Sequence, residues 1–351
     1  MIRILSIDGG GIRGIVPAYL LSFLEEELQT LSNNKQARLA DYFDFVAGTS
    51  TGGIISCLLL APPNHNNYRF TARDAFDLYV AHGQSIFVPK HSVLRALLSV
   101  FSHSLKIGFT DEIYNAEPLE QLLAKQFGDI ELRQLSKPSL ITAYNIDSRR
   151  PHFFTQHTAA QSNRKNFYVR DVCRATAAAP TYFEPALISS LSHAQTCYPL
   201  IDGGIFANNP ALCAYAEVRK AKDAPTAADM FMLSLGTGTY REAIDYQALR
   251  DAPTMLMIPH LIDMIMSGVA DTTDYQMRAL FDAAHGKNST RYVRIDADLR
   301  VIGQVDARFD NISAANIESL KAVAENTLTM HEATLRSVAK VLVEGGTELS
   351  Y

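Results

Sequence analysis

The chain has 351 residues, of which 47% are hydrophobic and 20% charged, proportions that suit a folded protein with a sizeable core and exclude wholesale disorder. A formal net charge of −5 at pH 7 excludes a general nucleic-acid binder, which carries a basic excess. Cys57, Cys173, Cys197 and Cys213 have neither CxxC spacing nor adjacent histidines, which argues for reduced thiols and against a zinc site or disulfide framework.

In chain order, Arg3–Ile7 reads as a short buried strand running into Asp8-Gly9-Gly10-Gly11. Ile15, Val16, Leu20, Leu21, Leu24 and Leu28 then recur at helical spacing, with Glu25–Glu27 off that face. Asp44–Ala47 is a second strand, followed by a glycine-rich turn and an apolar helix over Gly53–Leu60. The segment from Leu78 to Thr110 holds Lys90, Arg95, Lys106, His82, His91 and His103 but no acid, and Val93, Leu94, Leu97, Leu98, Phe101 and Leu105 repeat at helical spacing. That pattern predicts an amphipathic helix that meets a membrane surface or gates the site, with an ordinary core-facing helix as the alternative. Further strands are predicted at Ser139–Tyr144, Leu200–Ile201, Met230–Leu235 and Thr290–Ile295, and the chain after Gly238 is otherwise mainly helical. Short buried strands alternating with helices imply an α/β fold with a mostly parallel sheet covered on both faces.

The N-terminal stretch Met1–Ile7 is too short for a secretory leader, and the longest apolar run, Ile54–Ala61, is far from the roughly 20 residues of a spanning helix. A cytoplasmic protein with at most peripheral membrane contact is the expectation. Sequence gives no oligomeric state.

Gly48-Thr49-Ser50-Thr51-Gly52 matches G-x-S-x-G between a strand and a helix. A sharp strand-to-helix elbow needs glycines on either side of the serine, because side chains there would collide with neighbouring backbone. The elbow exposes the hydroxyl at the sheet edge and sets the next N–H groups at a helix N-terminus. Ser50 is thus a candidate nucleophile; the alternative is a serine that merely caps the helix.

Asp8-Gly9-Gly10-Gly11-Ile12-Arg13-Gly14 opens the first helix. The N–H groups of Gly9, Gly10 and Gly11 are expected to be free to converge on a small anion, with Arg13 adding positive potential. Gly9, Gly11 and Gly14 also satisfy G-x-G-x-x-G, but a dinucleotide site needs a second strand ending in an acid about 20 residues later. Here Leu24–Leu31 continues the helix, so that reading loses.

The base is less legible. Asp202 follows a short apolar strand and precedes Gly203-Gly204, which suits either an exposed catalytic acid or a plain turn. His260, His285 and His331 lie downstream in the order of a Ser…Asp…His hydrolase, each in or beside a helical pattern. No calcium loop stands out, and neither metal nor cofactor is expected.

Four blocks, SIDGGGIRG at Ser6–Gly14, FVAGTSTGG at Phe45–Gly53, RATAAAPTYFEP at Arg174–Pro185 and IDGGIFANNP at Ile201–Pro210, resemble the patatin-like phospholipase family of serine lipid acyl hydrolases. MLSLGTG at Met232–Gly238 adds a weaker fifth, and the tail is similar only loosely, chiefly around Asp310–Leu320. The resemblance implies a three-layer sandwich in a single domain spanning 1–351, with a motif-bearing core of about 3–240 and a helical extension of about 241–351. It implies a dyad without histidine: Ser50 as nucleophile, Asp202 as general base, Gly10 and Gly11 with Gly9 nearby as oxyanion hole, and Arg13 as electrostatic support. Thr51, Ala177, Ala178 and Pro180 are expected to line the acyl slot. No catalytic position departs from the family pattern; the acid loop reads Asp-Gly-Gly where many relatives have Asp-Gly-Ala.

The implied substrate is a phospholipid or another acyl lipid, cleaved through an acyl-enzyme during transient contact with a membrane surface. Two alternatives are a soluble esterase or thioesterase on small acyl substrates, and an effector whose lipolysis is switched on by a ligand or partner. Met255, Met257, Met264, Met266 and Met277 could furnish an adaptable acyl or partner surface for either, or simply fill core.

Overall fold

All six residues of Ile2–Ile7 are buried, as expected of a strand covered on both faces. In the computed structural model, which describes residues 1–63, 67–86, 114–192, 196–241, 246–250, 254–303, 305–306, 308–345 and 351, this strand is β1. The others are β2 (Phe45–Thr49), β3 (Ser139–Asn145), β4 (Arg150–Thr155), β5 (Ala186–Ser189), β6 (Cys197–Asp202), β7 (Met230–Leu235) and β8 (Tyr292–Ile295). They form one sheet in the order β5-β6-β3-β2-β1-β7-β8, with β4 paired to β3 off that line. The five strands from β3 to β8 along that order run parallel, while β4, β5 and β6 are antiparallel to their neighbours.

The helices are α1 (Ile15–Leu31), α2 (Thr51–Leu60), α3 (Ala72–Ile86), α4 (Glu117–Phe127), α5 (Gln156–Gln161), α6 (Val169–Thr176), α7 (Gly204–Ala207), α8 (Ala211–Val218), α9 (Tyr246–Arg250), α10 (Thr254–His285) and α11 (Ala314–Val343). Side chains alternate across a strand, and the two faces of β1 accordingly enter two cores. Leu5 and Ile7 pack with α1, α2, α3, α6 and α11, while Ile2 and Ile4 pack with α8 and the Met277–Phe281 turn of α10. The result is a mixed α/β sandwich of three layers, as the strand and helix alternation predicts. Among the described residues no helix is long and apolar enough to cross a membrane.

The predicted strands recur within a few residues of their expected ends. β4 and β5 escape the sequence reading for physical reasons. β4 is largely exposed and begins Arg150-Pro151, and β5 has only four residues alternating buried and exposed. The amphipathic segment expected at 78–110 enters α3 up to Ile86; from 87 onward it lies outside the described residues, as do the side chains of Met255, Met257 and His260.

Candidate active site

β2 ends at Thr49, and the chain turns at Ser50 with φ 53° and ψ −122° before α2 begins. Such a backbone is strained for a residue with a Cβ. The flanking glycines explain how the turn closes. A Cβ at Gly48 would lie 2.3 Å from the Gly52 carbonyl oxygen, and one at Gly52 would lie 2.2 Å from that of Ile7. The Ser50 N–H is donated to Thr176 Oγ1 at 2.8 Å.

The acid arrives from the opposite direction. β4 occupies one side of β3; on the other side β2 pairs up to Thr49↔Thr142, and β6 begins at Ala143↔Asp202. Because β6 is antiparallel to β3, the carboxyl ends of β2 and β6 point at each other along one side of β3. Ser50 and Asp202 therefore meet although 152 positions separate them (202 − 50). The buried Asp202 carboxylate accepts the Gly204 N–H at 2.7 Å, and its own N–H is donated to the Ala178 carbonyl at 2.9 Å. Burial pushes its pKa up to about 6, against the smaller lowering effect of hydrogen bonds from the Ser50 hydroxyl and the Gly204 N–H.

The glycine loop is pinned from three sides. The Gly9 N–H is donated to the Asn208 carbonyl at 3.0 Å, so it is not free for an anion as the sequence reading expected; it anchors the loop to the turn after Asp202. Neither the Gly10 nor the Gly11 N–H has a backbone carbonyl partner among the described residues. A Cβ at Gly10 would lie 2.2 Å from Thr237 Oγ1, and one at Gly11, where φ is +57°, would lie 2.3 Å from the Phe309 carbonyl oxygen. Arg13 is buried, donates from Nε to the Gly10 carbonyl at 3.4 Å, and lies 4.2 Å from the Phe309 ring centroid in a cation–π contact.

These groups share a largely apolar cavity with about 760 Å³ of empty space. Ser50, Asp202, Gly10 and Gly11 line it, together with Thr51, Ala177, Ala179 and Pro180. Ala178 does not line it; its side chain is fully buried and its carbonyl holds Asp202. The rest of the wall includes Ile54, Leu119, Tyr182 and Phe309, which the sequence reading did not assign to the site, with Tyr79 from the segment expected to gate it and Met266 from the methionines expected to offer an acyl or partner surface or to fill core. Tyr182 sits inside the RATAAAPTYFEP block, whereas Tyr79, Leu119, Met266 and Phe309 lie outside every block. The loose similarity beginning at Asp310 is the one signal that could have pointed toward Phe309.

No histidine lines this cavity among the described residues. His285 contacts the Ala227 carbonyl at 2.9 Å, and His331 borders a separate polar cavity with Arg294 and Asp296. Among the described residues no cluster of three His, Cys, Asp or Glu could hold a metal ion.

Residues 5–215 match the family described as patatin-like phospholipase. The chain is 33% identical to patatin-17 of Solanum cardiophyllum and 32% identical to patatin group M-3 of Solanum tuberosum, in both cases covering 97% of this chain and 90% of the relative. It is also 32% identical to a Solanum tuberosum protein named probable inactive patatin-3-Kuras 1, over 97% of this chain and 92% of that one. The chain belongs to the patatin-like phospholipase family. Its class is that of lipid-hydrolysing enzymes, with acyl lipids as the substrate class.

Proposed function

We propose that the protein hydrolyses fatty-acyl esters of glycerophospholipids through a Ser50–Asp202 dyad and an acyl-enzyme. The observation that carries this reading is the meeting of an elbow serine and a buried carboxylate in one apolar cavity, beside the Gly10 and Gly11 amides, which have no backbone partner among the described residues. Asp202 takes the proton of the Ser50 hydroxyl as Oγ attacks the acyl carbonyl, and the N–H groups of Gly10 and Gly11 receive the oxyanion. Arg13 supports that negative charge from behind the loop. The departing lysolipid oxygen then takes the proton from Asp202. In the second half, Asp202 removes a proton from water, which attacks the acyl-enzyme; as the acyl C–Oγ bond breaks, Asp202 returns that proton to Ser50 Oγ and the fatty acid is freed.

A free carboxylate with a pKa near 3.9 is a weak base at neutral pH. Burial of Asp202 narrows that gap, because a pKa of about 6 makes the carboxylate hold a proton more readily. The apolar walls suit an acyl chain, and the chain would be drawn from a lipid surface during transient contact.

The test is lipid mass spectrometry of phospholipid vesicles incubated with wild-type and Ser50→Ala protein, together with a fluorophosphonate probe. Released fatty acid and a label on Ser50 are expected for wild type alone. Fatty-acid release that survives in Ser50→Ala overturns the reading.

A further inference from the structure

The reading above, with Ser50 as nucleophile and Asp202 as its base, makes turnover depend on how firmly the two are held to each other. We propose that Thr176 is the positioning residue that fixes this relationship. It acts through its hydroxyl, on the backbone of the nucleophile elbow.

Thr176 is the last residue of α6 and is fully buried. Its Oγ1 accepts the Ser50 N–H at 2.8 Å and donates to the Thr142 carbonyl at 2.6 Å. A single hydroxyl thus ties the strained turn to the strand that β2 and β6 share. The contact is close on its other side as well, since a Cβ at Gly53, in the first turn of α2, would lie 2.9 Å from Thr176 Cγ2. Only an acceptor at this place can satisfy the Ser50 N–H, and a buried N–H without a partner is strongly disfavoured. Without it the elbow gains by turning its N–H elsewhere, which carries Oγ with it.

Two residues further on, the Ala178 carbonyl holds the Asp202 N–H at 2.9 Å. One stretch, Thr176 to Ala178, therefore grips the main chain of both members of the dyad. The network continues through β3. The Thr49 hydroxyl donates to the Ala207 carbonyl at 2.6 Å and lies 2.8 Å from the Thr142 hydroxyl. With its own hydrogen given to Ala207, Thr49 must accept from Thr142. A Cβ at Gly203 would lie 2.2 Å from Thr142 Oγ1, so the residue after Asp202 rests on the same threonine. Thr49, Thr142 and Thr176 are all fully buried, and together they join the elbow, the sheet and the acid turn. A merely space-filling Thr176 would need none of these directed bonds.

The experiment uses the full chain with Thr176→Val, Thr176→Ser and Thr176→Ala, a soluble p-nitrophenyl acyl ester, and a fluorophosphonate probe; thermal melting confirms the fold. Valine keeps the shape and removes the acceptor. For Thr176→Val, kcat and the rate of Ser50 labelling should both fall roughly 100-fold, with KM within about threefold of wild type, the pattern of a misplaced nucleophile. The acid limb of its kcat/KM profile should move to higher pH, because a displaced Ser50 no longer donates to the Asp202 carboxylate. Thr176→Ser, which restores the hydroxyl, should stay within about threefold of wild type on every measure.

A folded Thr176→Val protein with wild-type kcat, labelling rate and acid limb overturns the proposal. So does equal impairment of valine and serine variants, which would assign the effect to the lost methyl packing. If valine does not fold, serine and alanine still differ by the hydroxyl alone, and equal turnover in those two overturns it. Absence of a label on Ser50 in wild type overturns the nucleophile reading and the positioning role with it. A Ser50 label indifferent to the hydroxyl at position 176 overturns the positioning role alone.

Discussion

Arg294 holds both carboxylate oxygens of Asp8, at 2.9 and 2.6 Å, reaching from the outer strand β8 to the first residue of the glycine loop. The same guanidinium meets Asp296 and Ser234, each at 3.0 Å, and Asp296 in turn accepts the Gly238 N–H at 2.8 Å. Thr237 stands between them, donates to the Gly9 carbonyl at 2.7 Å, and fills the space beside Gly10. The loop proposed to receive the oxyanion is therefore seated on a buried ion cluster some 290 positions away in the chain (294 − 8 = 286). Burial pushes the Asp8 pKa up to about 7 against the lowering effect of Arg294, and it works to lower the Arg294 pKa, but the Asp8 and Asp296 carboxylates outweigh it there and keep the guanidinium charged.

At pH 8.5, above the Asp8 pKa of about 7, Arg294→Met should lower stability by about 3–5 kcal/mol, because it leaves an ionised Asp8 buried without its counter-charge. Urea denaturation at pH 8.5 measures this. A loss of less than about 1 kcal/mol, the range of an exposed pair, would show that the cluster is not what seats the loop.

Hydrolysis should fail in acid as Asp202 takes up its proton. A protonated carboxyl cannot accept from Ser50, so kcat/KM should level off well above pH 6 and fall to half as pH drops to about 6. The linkage to stability has the opposite sense. The folded pKa of about 6 exceeds the ordinary value of 3.8, so the folded state binds the proton more tightly and stability declines as pH rises between those values. Asp202→Asn, neutral throughout, should abolish turnover. It should also stabilise the chain at pH 8 by up to about 3 kcal/mol, with the gain gone near pH 4. Denaturation at both pH values, beside a pH–rate profile of wild type, decides the point; a destabilised Asp202→Asn protein at pH 8 would contradict it.

Ser50→Gly should be inactive and more stable than Ser50→Ala. Both lack the hydroxyl, but only glycine occupies φ 53° and ψ −122° without strain. The strain released is on the order of 1–3 kcal/mol, part of which glycine's extra freedom in the unfolded chain offsets. Thermal melting of the two variants is the comparison, and an alanine variant equal to or above glycine would refute strain at the elbow.

Most of the sheet was legible in the sequence because buried strands such as Met230–Leu235, interrupted only by Ser234, are nearly continuous apolar runs. The chemical groups were legible for a different reason. Glycines at 48, 52, 10 and 11 are demanded by backbone or side-chain atoms within about 2.5 Å of any Cβ placed there, so close packing leaves a readable trace. Hydroxyl bonds leave none: nothing in ATAAAP distinguishes Thr176 from a helix-ending threonine. The direction of β6, antiparallel to β3, was also invisible, because Leu200–Ile201 reads alike in either direction. Gly9 misled for a related reason, since a free-looking amide in sequence proved to be the loop's tie to Asn208.

Phe309→Ala should alter selectivity more than chemistry. Phe309 lines the cavity, receives Arg13 at 4.2 Å, and meets Tyr182 edge-on with ring centroids 6.4 Å apart. Removing the ring should raise KM for long-chain p-nitrophenyl esters roughly tenfold, the scale of about 1–2 kcal/mol of lost apolar contact, and change KM for the butyrate ester little. Equal effects on both chain lengths would place the ring's contribution on Arg13 rather than on the acyl chain.

The end-to-end meeting of β2 and β6 on one flank of β3 has a mechanical consequence. The proposed dyad is a seam: its width is set by the single step from Thr142 to Ala143, and no loop length enters into it. One residue added at that step would part the two strand ends by about 3.3 Å, a full hydrogen-bond length, and turn the following side chains to the opposite face. Residues added to the connections around the cavity would instead reshape its walls and leave the seam closed. On the proposed mechanism, the choice of lipid and the cutting of it thus belong to different parts of the same scaffold.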